Sequence, residues 1–82
     1  GDYTMNETTK QALLKELTQL SLEAKIASEI ATLNYNTETW NEYLNIRSKC
    51  NGYRKALYTM GMPYDDVQAA EAFYKVTIEK TV

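Results

Sequence analysis

From about Thr8 to Leu33 apolar residues recur at helical spacing without a break, which rules out most ways of folding the chain. Leu13, Leu17, Leu20, Ala24, Ala27 and Ala31 alternate in steps of four and three. That period keeps one face of a helix against a neighbour. A second stripe, Leu22, Ile26, Ile30 and Leu33, runs beside the first. One stripe is satisfied by one partner helix, and two adjacent stripes predict a helix contacted from two directions. The change from leucine to alanine along the first stripe predicts closer approach of a facing helix at Ala24, Ala27 and Ala31. Glu16, Glu23 and Glu29, with Lys15 and Lys25, fill the remaining surface.

Asn34-Tyr35-Asn36-Thr37 interrupts this pattern with turn-prone residues. Thr39 and Glu42 have the spacing of a capping box, with Thr37 as an alternative cap, so a second helix is expected from about Thr39 to Met60. So short a link predicts an antiparallel hairpin. Tyr43, Ile46, Cys50, Tyr53, Leu57 and Met60 form its packing seam, and Trp40, Leu44, Arg47, Asn51, Arg54 and Tyr58 form a mixed aromatic and basic stripe. Gly52, inside this helix, costs about 0.5–1 kcal/mol relative to alanine and is read as a close approach of another helix in preference to a kink. Gly61 is placed to end the helix in the left-handed region, and Pro63 prevents continuation.

Asp65 is the expected N-cap of a third helix, with Gln68 at the capping-box position and Asp66 in the positive first turn. Val67, Ala70, Tyr74 and Ile78 make its apolar face, and Ala69, Phe73 and Val76 lie beside it. The β-branched segment Tyr74–Ile78 suits a strand locally but has no strand to pair with, so the helix is extended to Lys80. At the other end Asn6, Thr8 or Thr9 caps the first helix, and residues 1–6 read as a disordered or tag-like N-terminus. The expected fold is all-α: an antiparallel helical hairpin, 8–33 against 39–60, with a third packed helix, 65–80. This is a small three-helix bundle in one domain. A chain of 82 residues buries roughly 60% of its unfolded surface, so it is marginally stable alone. With an apolar stripe to spare, a homo-oligomer is expected.

Several function classes fall away on composition. With no histidine and one cysteine, neither a zinc site nor a Cys–His nucleophile pair can form. No Gly-rich phosphate loop or nucleophile elbow occurs, and the acids are dispersed along the helices. An enzyme is not expected, nor is a cofactor or a metal. The net charge of −2 gives no general attraction to nucleic acid or anionic membrane. No apolar run approaches the roughly 20 residues of a membrane span. The single Cys50 cannot form an internal disulfide and points to a reducing, cytoplasmic setting.

What remains is binding. Arg47, Lys49, Arg54 and Lys55 fall in a stretch with no acid between Glu42 and Asp65, a basic patch on an acidic protein. Trp40, Arg47, Asn51, Arg54 and Tyr58 are the candidate binding residues: guanidinium forks grip carboxylate or phosphate, and the aromatic rings stack. The structural reading is that these cations complement the helix dipole and bridge to glutamates of the first helix. Tyrosine supplies seven of 82 residues, and Tyr, Trp and Arg are favoured at interfaces. In so small a core some tyrosines must lie at its margin or in an interface. The corner Leu57–Val67 has the look of a helix-turn-helix, but the helix that would read DNA opens with Asp65 and Asp66, the wrong charge. The expected function is therefore a non-catalytic helical protein that modulates or inhibits a protein partner. Single-domain regulators of this size are common in bacteria and their phages, an association rather than a derivation. The alternative is an oligomeric receptor that sequesters an anionic small molecule such as a nucleotide between subunits. A helix-turn-helix DNA binder ranks last, and nucleic acid is not expected as a partner.

Overall fold

The computed structural model describes residues 6–81, with side chains described through Ala72. The sequence expectations for residues 1–5, and for the side chains of Phe73, Tyr74, Val76 and Ile78, lie outside the described residues. Three helices account for all regular structure among them: α1 (Glu7–Leu33), α2 (Thr37–Thr59) and α3 (Tyr64–Thr81). The Tyr74–Ile78 segment is helical, since no strand is there to pair with it.

Each boundary has a local cause. Asn6 caps α1, its Oδ1 accepting from the Thr9 backbone N–H at 2.8 Å. It is thus part of the folded unit rather than of the disordered start. α2 begins at Thr37, two residues before the sequence expectation, because Asn36 and not Thr39 is its N-cap. Asn36 Oδ1 accepts from Thr39 N–H at 2.9 Å, and Thr39 Oγ1 accepts from Asn36 N–H at 3.2 Å. The reciprocal pair of a capping box is therefore present, closed by a threonine at the third helical position. At the other end of α2 Gly61 has φ +92°. Its N–H donates to Tyr58 O at 3.0 Å and Met62 N–H donates to Leu57 O at 2.9 Å, the two bonds of a Schellman motif. Met62 and Leu57 are both buried in the core cluster, supplying the apolar contact that accompanies that motif. α3 begins at Tyr64, with Pro63 O accepting its first backbone bond from Val67 N–H at 3.2 Å. Asp65 consequently lies inside the first turn rather than at the cap, beside Asp66.

The core is concentrated where all three helices meet. Leu14, Leu17, Cys50, Leu57, Met62, Val67 and Ala70 form one buried cluster, and Leu17, Leu57 and Val67, one from each helix, are fully enclosed. Ala27 and Ala31 are buried further along α1, where small side chains face α2. α1 is the shared wall, with α2 and α3 each packed on it and touching one another little. Polar pairs fix this arrangement. Tyr53 Oη donates to Leu13 O at 2.9 Å, Ser21 Oγ approaches Cys50 Sγ at 3.6 Å, and Thr18 Oγ1 lies 2.8 Å from Ala70 O. Lys10 Nζ pairs with Asp66 Oδ2 at 2.7 Å.

The two contact directions on α1 differ from the stripes read in its sequence. The seam Leu13–Ala31 does face α2, but α3 packs against Leu14, Leu17 and Thr18 rather than the second stripe. In that second stripe Leu22 is half-buried, while Ile26, Ile30 and Leu33 are 47, 49 and 87% exposed. Gly52 also departs from expectation. A Cβ built there meets nothing within 4 Å among the described residues, so the expected close approach is not found.

Candidate functional site

The mixed stripe of α2 lies along the flank on which α3 packs, and its five candidate residues divide into three settings. Trp40 is 41% exposed near the Asn34–Asn36 turn. Its ring packs between Tyr35 and Tyr43, with centroids 6.2 and 5.5 Å away and tilted planes, so an apolar surface is held in place while remaining open to solvent. Below it a cleft of about 410 Å³ opens between α1 and α2. Tyr43, Arg47, Asn51 and Arg54 line one wall, Lys25 lies on the α1 side, and Glu71 belongs to α3. Arg47, Asn51 and Arg54 are thus brought together, as their spacing implies.

Their chemical states are unequal. Arg54 Nε donates to Glu71 Oε1 and Nη1 donates to Asn51 Oδ1 at 3.1 Å. The hydrogen bond it donates to Glu71 is the main reason its pKa lies above the ordinary arginine value, desolvation opposing it. Arg54 therefore ties α2 to α3, not to glutamates of α1 as the sequence suggested. Lys25 lies 3.7 Å from Glu29 on its own helix. Arg47 is exposed and has no acidic partner within 4 Å among the described residues. Tyr58 belongs elsewhere: its ring stacks on Tyr64 at 6.1 Å, its hydroxyl lies 3.5 Å from Gln68 Nε2, and its side chain packs on the core cluster. It is a margin residue, and so is Tyr53, whose hydroxyl is consumed by Leu13 O. Tyr35 and Tyr64 are the exposed tyrosines of the described set.

The opposite flank of the α1–α2 pair carries a feature that sequence reading missed. A groove of about 440 Å³ is floored by Ile26, Ala27 and Ile30 of α1 and Ile46 of α2, and is rimmed by Glu23, Glu38 and Glu42. No described residue of α3 lines it. In the sequence Ile46 reads as part of the core seam, Glu23 as surface, Glu38 as one of the dispersed acids and Glu42 as a capping-box residue. Only the way α1 and α2 pack makes them neighbours, since Glu23 and Glu42 are remote in sequence.

Among the described residues no cluster of His, Cys, Asp and Glu is arranged to hold a metal ion, and no helix is long and apolar enough to cross a membrane. No protein-family model, curated protein or solved structure matches the chain.

Proposed function

We propose that this chain is a non-catalytic helical protein of the cytoplasm that modulates a protein partner, docking it through Trp40, Tyr43, Arg47 and Asn51. The observation that carries the reading is the braced, solvent-open Trp40 above Arg47, a cation with no acidic partner among the described residues. Trp, Tyr and Arg dominate the few residues that supply most interface energy, and a pre-positioned ring loses little entropy on docking. Arg54 supports the surface by holding α3 in place, and Tyr58 supports it from the core margin. The reading takes α1 and α2 as an antiparallel hairpin. The pairing of Leu13 with Tyr53, of Ser21 with Cys50 and of Ala27 beside Ile46 supports that. Affinity retention from a lysate of the source cells tests it. One protein should be kept by the wild type and lost with Trp40→Ala or Arg47→Glu while helicity is unchanged. Retention indifferent to both substitutions ends the reading.

A second reading is capture of an anionic small molecule by Lys25, Arg47 and Arg54, which share one cleft, with two copies closing over it. It ranks lower because Glu71 already engages Arg54 and Glu29 is near Lys25, so that among the described residues only Arg47 offers the cleft a guanidinium without an acidic partner. Native mass spectrometry separates the two. An oligomer with extra mass released on denaturation favours capture, and a bare monomer favours the protein partner. DNA recognition ranks last, because α3 would present Asp65 and Asp66 in its first turn.

A further inference from the structure

The α1–α2 pair has two flanks, and the described residues cover only one. On the first, α3 lays Val67 and Ala70 against Leu14 and Leu17. On the second, Ile26 and Ile30 stand about half exposed over the groove that Ile46 completes, and Leu33 continues the same stripe beyond it. Two neighbouring helices present parallel ridges, and the shape that fits between such ridges is a third helix. The rim decides what kind. Glu23, Glu38 and Glu42 all border the groove, no lysine or arginine lines it, and none of the three has a cation within 4 Å among the described residues. A second copy docked symmetrically would bring both sets of carboxylates around one apolar seam, and like charges facing across a seam disfavour that pairing. A partner with cations on both edges of an apolar stripe meets the opposite situation.

We infer that this groove is a second docking surface, separate from the Trp40–Arg47 face, and that it takes a basic amphipathic helix from another protein. Such a helix would seat apolar side chains spaced i, i+3/i+4, i+7 over Ile26, Ile30 and Ile46, with lysines or arginines reaching Glu23 on one side and Glu38 and Glu42 on the other. The docked assembly is a four-helix arrangement in which α1 is contacted from three directions.

The test uses the full chain and a fluorescein-labelled peptide of alternating leucine and lysine at helical periodicity. Its controls are the same composition in scrambled order and a version with glutamate for lysine. The helical basic peptide should bind, should shift the methyl resonances of Ile26, Ile30 and Ile46, and should bind about tenfold or more tightly than either control. Ile30→Glu is the discriminating variant. It makes the surface more acidic, so attraction by net charge alone would strengthen binding, whereas docking in the groove loses about tenfold or more. Glu23→Gln with Glu42→Gln should weaken binding and flatten its salt dependence without altering helicity. Failure of the basic helical peptide to bind, or binding that survives Ile30→Glu, overturns the proposal. So does self-association in sedimentation velocity that Ile30→Glu abolishes, which would give the groove to a second copy.

Discussion

Gly61 and Gly52 place the same residue type in opposite circumstances. At Gly61 the backbone sits at φ +92°, where a side chain is strained whatever the surrounding space, and two backbone bonds depend on that conformation. At Gly52 the backbone is helical and a methyl group would enter open space. Gly52→Ala should therefore raise stability by about 0.5–1 kcal/mol through helix propensity, and Gly61→Ala should lower it by about 1–2 kcal/mol. Urea melts of the two variants check this. A loss at Gly52 would mean that something packs there after all. The sequence distinguishes the two only in part. Gly61 precedes Pro63 and follows the last apolar position of α2, a termination signal with one physical meaning. Gly52 carries no such signal, because periodicity tells which residues share a face but not what stands opposite.

α1 shows how far an element can be read from its own pattern. Its length and C-terminal limit at Leu33 follow from periodicity and the turn-prone residues after it, and its N-cap is one of those the sequence offers. Its polar buried positions do not follow, because Thr18, facing α3, and Ser21, facing α2, both look like surface residues. They are buried or half-buried because partners satisfy them: the Ala70 carbonyl for one and the Cys50 thiol for the other. The more apolar Ile26, Ile30 and Leu33 lie on a side no described helix reaches. Pattern ranks faces by hydrophobicity, whereas packing ranks them by what is available to cover them. Capping of α2 has the same character, since Asn36 and Thr39 both suit a cap and the winner is decided by the bonds each completes. Two substitutions test the α1–α3 face. Leu17→Ala, at a fully enclosed site, should cost about 2–5 kcal/mol. Thr18→Val keeps the shape and removes the donor to Ala70, so it should cost about 0.5–1.5 kcal/mol. An unchanged melting curve for Thr18→Val would show that the hydroxyl contributes nothing to holding α3.

At the scale of the molecule, the chain is an elongated body of 47 × 27 × 17 Å with its densest core at the Met62 corner, and Leu33, Tyr35 and Trp40 are exposed near the opposite turn. Its charge is divided between flanks, cations along the α3 side of α2 and carboxylates around the groove. The basic half of this map was visible as an acid-free stretch of sequence, and the acidic half was not, being assembled from separate helices. The ionic contacts also set a direction for pH. Lys10 is raised by its bond to Asp66, Tyr53 by burial first and Glu16 second, and Arg54 by Glu71. In each case the folded chain holds its proton more tightly than the unfolded one. That contribution is complete below the unfolded values, 10.0 for tyrosine and 10.5 for lysine, and is lost as pH climbs through the folded values. Thermal stability should therefore hold from neutral pH to about 9 and fall above 10. Tyr53→Phe should remove part of the alkaline decline, and a late-ionising tyrosine should disappear from the spectrophotometric titration with that substitution. A decline that begins near pH 8 would point to another group.

Trp40 is the only tryptophan of the chain and lies at the turn, away from the Leu17–Leu57–Val67 cluster. Its emission is consequently a gauge of the α1–α2 turn alone, with far-ultraviolet dichroism reporting the helices as a whole. Because the turn carries few enclosed side chains, its opening should precede the collapse of helicity in a denaturant titration, the emission midpoint coming first. Coincident midpoints would instead make the 82 residues one cooperative unit. The fluorophore needed for that comparison is already built into the protein, so no label has to be introduced.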